Sequence, residues 1–188
     1  ARDTLTADMA IDVRLEKAGT AIRFRELFLS AFGDAWTGGG DFSVFIGDTV
    51  ARFEDIELHS RSGAVFADGR YDMKRKTLDG GISFERVALD LANRAKLLGA
   101  PLAGKARGSI LLTGAAADPD LAVDVAVDGA RVDTIDVDSL RARVRYAQGR
   151  WSIDSLRAAS PSGAVDLRGE LSGASLADLR RGNREALD

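Results

Sequence analysis

The 188-residue chain contains no cysteine, which excludes disulfides, thiolate metal sites and cysteine nucleophiles. The compartment stays open, because the cytosol and an envelope space both tolerate such a protein. There is one histidine, His59, in a strand ahead of a turn. Spacing implies no partner for it, so imidazole-based acid–base or triad chemistry is not expected. A charge field of one sign is also missing. The net charge is −3 with both signs scattered along the chain, so neither nucleic acid nor an anionic membrane surface has a basic face to bind. No apolar run approaches the ~20 residues that span a bilayer. Residues 1 to 30 lack the basic-then-apolar pattern of an export signal. Any signal or anchor is expected outside this segment, and a first residue other than Met fits a piece of a larger protein. Aromatic residues are scarce at 6%, so the interior must be built from Val, Leu, Ile and Ala.

What the chain does have is apolar–polar alternation of period two, the pattern of strands with one buried and one wet face. In LTADMAIDVRLE the odd positions Leu5, Ala7, Met9, Ile11, Val13 and Leu15 are apolar, while Thr6, Asp8, Asp12 and Arg14 alternate with them. LAVDVAVD sets Leu121, Val123, Val125 and Val127 against Asp124 and Asp128. LRARVRY sets Leu140, Ala142, Val144 and Tyr146 against arginines 141, 143 and 145, which cannot face a core.

The chain also repeats itself. SRSGAV at 60–65 returns as SPSGAV at 160–165, an offset of one hundred residues. At that offset Val44 and Ile46 fall on Val144 and Tyr146, Phe53 on Ile153, Val65 on Val165, and Ala67 on Leu167. In both copies the apolar parity switches inside one strand, from Phe53 to Ile56 and from Ile153 to Leu156, with Glu54-Asp55 and Asp154-Ser155 between. Parity can switch only through a β-bulge or kink, so a shared switch points to duplication. The repeated hexapeptide is then a hairpin turn, its Ser-x-Ser-Gly supplying turn chemistry and a glycine able to take positive φ.

Between the copies, LDLANRAKLLGAP predicts a short helix near 90–99, with Asp90 as cap, Leu91, Ala95 and Leu98 on one face, and Gly99 and Pro101 as the stop. Ile110 and Leu112 restart the strands, and ASLADLRRGNREALD predicts a charged helical tail at 175–188. The expected organisation is a first unit at 1–100, a second at 101–174 and the tail. About ten strands with turns every ten residues or so make the chain all-β.

Nothing in this pattern suggests catalysis. TGGGD at 37–41 lacks the Gly-Lys-Ser/Thr of a phosphate loop and predicts a turn. Asp133, Asp136 and Asp138 lack calcium-loop spacing and predict a solvated strand face. Arginines 141, 143 and 145 have cross-strand acids, such as Asp154 and Asp166, to pair with. Neither a metal, a cofactor nor an enzymatic activity is expected.

A large apolar surface remains, with no second layer assigned to cover it. A closed sandwich would cover it with an opposing sheet. The alternative is a long antiparallel sheet, built from two related ~100-residue units and curled into an open groove. Strands of about 10 residues, about 30 Å long, and kinks repeated in register favour the groove. Its lining would come from Met9, Ile11 and Val13; from Val44, Ile46, Phe53 and Val65; from Ile82 and Phe84; and from Ile110 and Leu112. Val123, Val125, Leu140, Val144, Ile153, Val165 and Leu167 would extend it through the second unit. Such an aliphatic surface suits flexible acyl chains.

GSILLTG at 108–114, ahead of Pro119, and the closing GAVDLRGEL at 163–171 resemble the repeats of the TamB and AsmA-like group of bacterial envelope proteins. The resemblance implies a taco-shaped β-groove in the periplasm, an inner-membrane anchor on the full protein, and movement of phospholipid to the outer membrane. It also implies a role with an Omp85-type outer-membrane partner in assembling surface proteins. A chaperone-like scaffold offering strand edges to clients, and a passive repeat spacer, are the alternatives. A segment cut from a continuous sheet is further expected to self-associate end to end.

Overall fold

The computed structural model describes residues 6–31, 33–94, 101–132 and 135–172. They form one long curled sheet of twelve antiparallel strands. In chain order these are β1 (Thr6–Glu16), β2 (Gly19–Ala31), β3 (Asp34–Gly38), β4 (Phe42–Gly47), β5 (Val50–Ser60), β6 (Gly63–Asp72), β7 (Thr77–Ala88), β8 (Leu102–Ala115), β9 (Asp120–Val132), β10 (Ile135–Ala147), β11 (Arg150–Ser160) and β12 (Gly163–Ser172). One short helix, α1 (Asp90–Arg94), lies between β7 and β8. The rest of the helix expected to 99, the tail from 175, Leu5 and Asp133 lie outside the described residues.

Each strand pairs with its chain neighbours, except at the third position of the sheet. There β3 and β4 share one slot, both pairing with β2 and β5. They run the same way, end to end, so TGGGD loops out of a strand and does not reverse the chain. This interruption adds one strand, and the sheet has twelve where about ten were expected. A Cβ at Gly39 in the loop would lie 2.5 Å from the Glu57 side chain and 2.7 Å from the His59 ring, so a larger residue there has to displace both.

Strands β5 and β6 recur as β11 and β12 with bounds displaced by the same one hundred residues. Both parity switches are bulges. Phe53 faces Gly69 and Ile56 faces Ala67, while Ile153 faces Gly169 and Leu156 faces Leu167, with two residues opposite one between the pairs each time. Asp55 takes φ +60° to make the first. A third bulge of this kind occurs in β7, where Phe84 faces Gly108, Val87 faces Ala106, and Arg86 takes φ +53°. Each bulge returns the next apolar residue to the same face and adds twist, which curls the sheet.

The repeated turns also match in chemistry. Ser60 Oγ accepts from Ser62 N (2.9 Å) and donates to Gly63 O (3.4 Å), and Ser160 Oγ does the same with Ser162 N (3.3 Å) and Gly163 O (3.2 Å). Gly63 has φ +134°, and a Cβ there would lie 2.7 Å from Glu85 O, so only glycine closes this hairpin. The first turn is locked further by Asp34. Its carboxylate is buried beside Ser62 and accepts from Arg61 Nε at 3.1 Å. Burial pushes its pKa up, but hydrogen bonds from Ser62 and Arg61, with the Arg61 charge, outweigh that and hold it below the usual aspartate value. The latch between the β2–β3 and β5–β6 turns is therefore intact above the ordinary Asp range. It is lost as pH falls through the lowered folded value.

Candidate functional site

Register places the side chains. Residues directly opposite in neighbouring strands share a face, and successive residues alternate. One row runs Val13, Ile22, Val44, Phe53, Gly69, Gly80, Leu112, Leu121, Tyr146 and Trp151. The next runs Ile56, Ala67, Ile82, Ile110, Val123, Val144 and Ile153. A third runs Leu58, Val65, Phe84, Gly108, Val125, Ala142, Leu156 and Leu167. Ile46 lies on the same side with Ala51, Tyr71 and Leu78. Leu140 and Val165 face Ala158, and Met9 and Ile11 alternate into this face from β1. All eighteen residues expected to line a groove therefore share one face of the sheet.

Among the described residues no second sheet covers that face. Met9 is 47% exposed, Ile46 47%, Phe53 37% and Ile82 39%, values that an opposing sheet would bring near zero. The closed sandwich is thereby excluded. Between β4 and β8 the curl makes a trough of about 410 Å³, walled by Val44, Ile46, Phe53, Tyr71, Leu78, Ile82, Ile110 and Leu112. Gly69 and Gly80 pair across its floor, and the Phe53 ring lies over Gly69, where a Cβ would come within 2.6 Å of it.

Part of the apolar face is filled from within the chain. Ala106, Val127 and Ala130 are buried, and Phe84, Leu89, Val125, Val137 and Leu140 pack against them. Leu89 N donates to Gly104 O (3.0 Å), while the Asn93 side chain bonds both Leu102 N (2.9 Å) and Leu102 O (2.5 Å). These bonds fold the chain after β7 back toward β8. Phe84, Val125 and Leu140 thus sit in a small core and do not wall the trough between β4 and β8. Tyr146 is 1% exposed, packed 4.9 Å from the Trp151 ring, and donates its hydroxyl to the Asp118 carboxylate.

The opposite face is polar and cross-paired. Arg143 bonds Asp124 (2.8 Å), Arg145 bonds Asp154 (2.6 Å) and Arg157 bonds Asp166 (2.9 Å). The Arg145 hydrogen bond, helped by Ser152, holds the Asp154 carboxyl below its usual value. These exposed pairs contribute little to stability but neutralise Arg143 and Arg145 of the arginine stripe. His59 lies on this face, 2.6 Å from Glu57 and edge-on to Phe66. Among the described residues no three His, Cys, Asp or Glu side chains are grouped to hold a metal, and no helix is long and apolar enough to cross a membrane.

One feature absent from the sequence reading is the β6–β7 turn beside the trough. It carries Lys74-Arg75-Lys76, the only run of three basic residues in the chain. That run was the signal that could have found it. Against family models, curated proteins and solved structures, the chain finds no match.

Proposed function

We propose that this chain is a non-enzymatic segment of a larger periplasmic, bridge-like protein, anchored elsewhere in the inner membrane. Its trough carries phospholipid acyl chains between inner and outer membranes. The observation that supports this reading is the uncovered aliphatic face, continuous across the sheet and backed by a charged, ion-paired outer face. An acyl chain recovers burial that no other part of the described chain supplies, at ~25 cal/mol per Å² of apolar surface removed from water. The trough crosses five strand positions, about 19 Å at the usual spacing. The likeness of its strand motifs to TamB and AsmA-like repeats points the same way.

Native mass spectrometry of the purified chain, before and after gentle delipidation, tests the proposal. Phospholipid adducts that vanish on delipidation and return on incubation with vesicles are expected. Protein that stays free of lipid in both preparations would instead make the chain a repeat spacer.

A second reading, a scaffold for outer-membrane proteins working with an Omp85-type partner, is favoured by the sheet's edges. Among the described residues β1 pairs only with β2, and β12 only with β11. Each edge offers unpaired backbone groups to another strand by β-augmentation. The same edges should let isolated segments associate end to end. Sedimentation coefficients are expected to rise with concentration in analytical ultracentrifugation, and a monomer at every concentration would count against open edges.

A further inference from the structure

Three cations stand at the rim of an apolar trough in a chain whose net charge is −3. Tyr71 and Leu78 wall the trough and face each other across β6 and β7, and one pair later the strands enter the turn 73–76. The turn begins about 7 Å beyond the last walling pair. Its backbone is held on both sides, with Met73 N donating to Thr49 O and Ala116 N to Lys76 O, each 2.8 Å.

The Asp72 carboxylate is committed to the same turn, accepting from Lys74 N at 3.0 Å and Arg75 N at 2.8 Å. Lys74, Arg75 and Lys76 are all exposed, and none forms an ion pair among the described residues. The stripe arginines Arg143 and Arg145, by contrast, are each paired with a carboxylate. Asp48 and Asp118 lie in the flanking turns, and Asp118 already accepts the Tyr146 hydroxyl. A fixed backbone with three cationic side chains, of which only Arg75 feels the charge of the Asp72 carboxylate, next to an apolar slot, is amphipathic in the sense a phospholipid is. The slot takes tails, and the rim takes an anion.

We infer that the β6–β7 turn is a headgroup site, where Lys74, Arg75 and Lys76 hold the phosphate of an anionic phospholipid whose acyl chain lies in the trough against Tyr71, Leu78 and Ile82. This rests on the acyl-chain reading of the trough and adds a lipid class to it. The contact is electrostatic at an exposed rim, so it selects anionic lipid while leaving the lipid free to move on.

Delipidated protein, incubated with vesicles of phosphatidylglycerol or of phosphatidylcholine bearing the same acyl chains, tests the inference, with bound lipid counted by native mass spectrometry. Phosphatidylglycerol should load roughly tenfold better. The preference should collapse near 1 M salt, where the Debye length is about 3 Å.

The variant Lys74→Gln/Arg75→Gln/Lys76→Asn should lose the preference while still loading phosphatidylcholine; Asn suits position 76, where φ is +53°. A control with the same charge change on the outer face, Lys105→Gln/Arg141→Gln/Arg168→Gln, should keep it. Equal loading of both lipids by the unmodified protein, or a preference that survives the turn variant or vanishes equally in the control, overturns the headgroup site alone. No loading of either lipid overturns the trough reading and this inference together. Glycerol phosphate at millimolar concentration should not displace phosphatidylglycerol, and displacement would reassign the turn to free phosphate.

Discussion

Deleting Ser155 is expected to lower the thermal midpoint by roughly 10 °C, the equivalent of about 3 kcal/mol in a chain of this size. Strand β11 pairs on both sides, with β10 and β12. The extra residue at Asp154-Ser155 lets Ile153 and Leu156 point to the same face. Without it, Leu156 and Ala158 turn toward water and Arg157 turns onto the apolar face, away from Asp166. The loss is on the scale of one or two buried aliphatic side chains plus a misplaced charge. Ser155→Ala keeps the residue count and should change stability by no more than about 0.5 kcal/mol. A differential scanning experiment in which the deletion melts with the unmodified chain would show that the bulge does not set the facing of β11.

Ile82→Asp is expected to reduce lipid loading more than tenfold at pH 7, while Ser83→Asp leaves it unchanged. Ile82 lies between Ala67 and Ile110 in one apolar row. A carboxylate there would sit in a row of apolar residues and be desolvated by a bound acyl chain, at a cost of several kcal/mol if it stayed charged. Ser83 is exposed on the outer face, where Arg107 lies diagonally across β8. The pH dependence follows from the sign of the desolvation. Burial against an acyl chain raises the pKa of the introduced carboxyl, so loading is weakest above that pKa. It recovers as the pH falls through it and the group takes a proton. Equal loading by both variants across pH would contradict the assignment of the two faces.

Much of this arrangement is legible in the sequence because strand periodicity is local. The alternation around Val123, Val144 and Ile110 is enough to assign each to one face. A parity switch such as Phe53 to Ile56 is enough to place a bulge. The third bulge carried the same signal unread: FERVAL at 84–89 repeats the pattern of FEDIEL at 53–58, an aromatic, an acid, one residue and then the next apolar residue. It has no counterpart at the one-hundred-residue offset. Two other features depend on distant partners. TGGGD has turn composition whether or not the chain reverses, and only pairing of β3 and β4 with both β2 and β5 fixes their common direction. Phe84, Val125 and Leu140 face the correct way, but the fold-back that brings Leu89 to the same Ala106, Val127 and Ala130 cluster is not written in strand alternation.

On the acyl-chain proposal, one face of this sheet holds lipid and the other does not. Ile110 and Leu111 are adjacent in β8; Ile110 walls the trough, and Leu111 is 52% exposed on the outer face. Both are apolar, so hydrophobicity alone does not separate them. A photo-crosslinking side chain placed at each position in cells gives the most direct measurement. The account predicts covalent phospholipid at 110 and none above background at 111. Equal capture at both positions, or protein clients in place of lipid at 110, would contradict it.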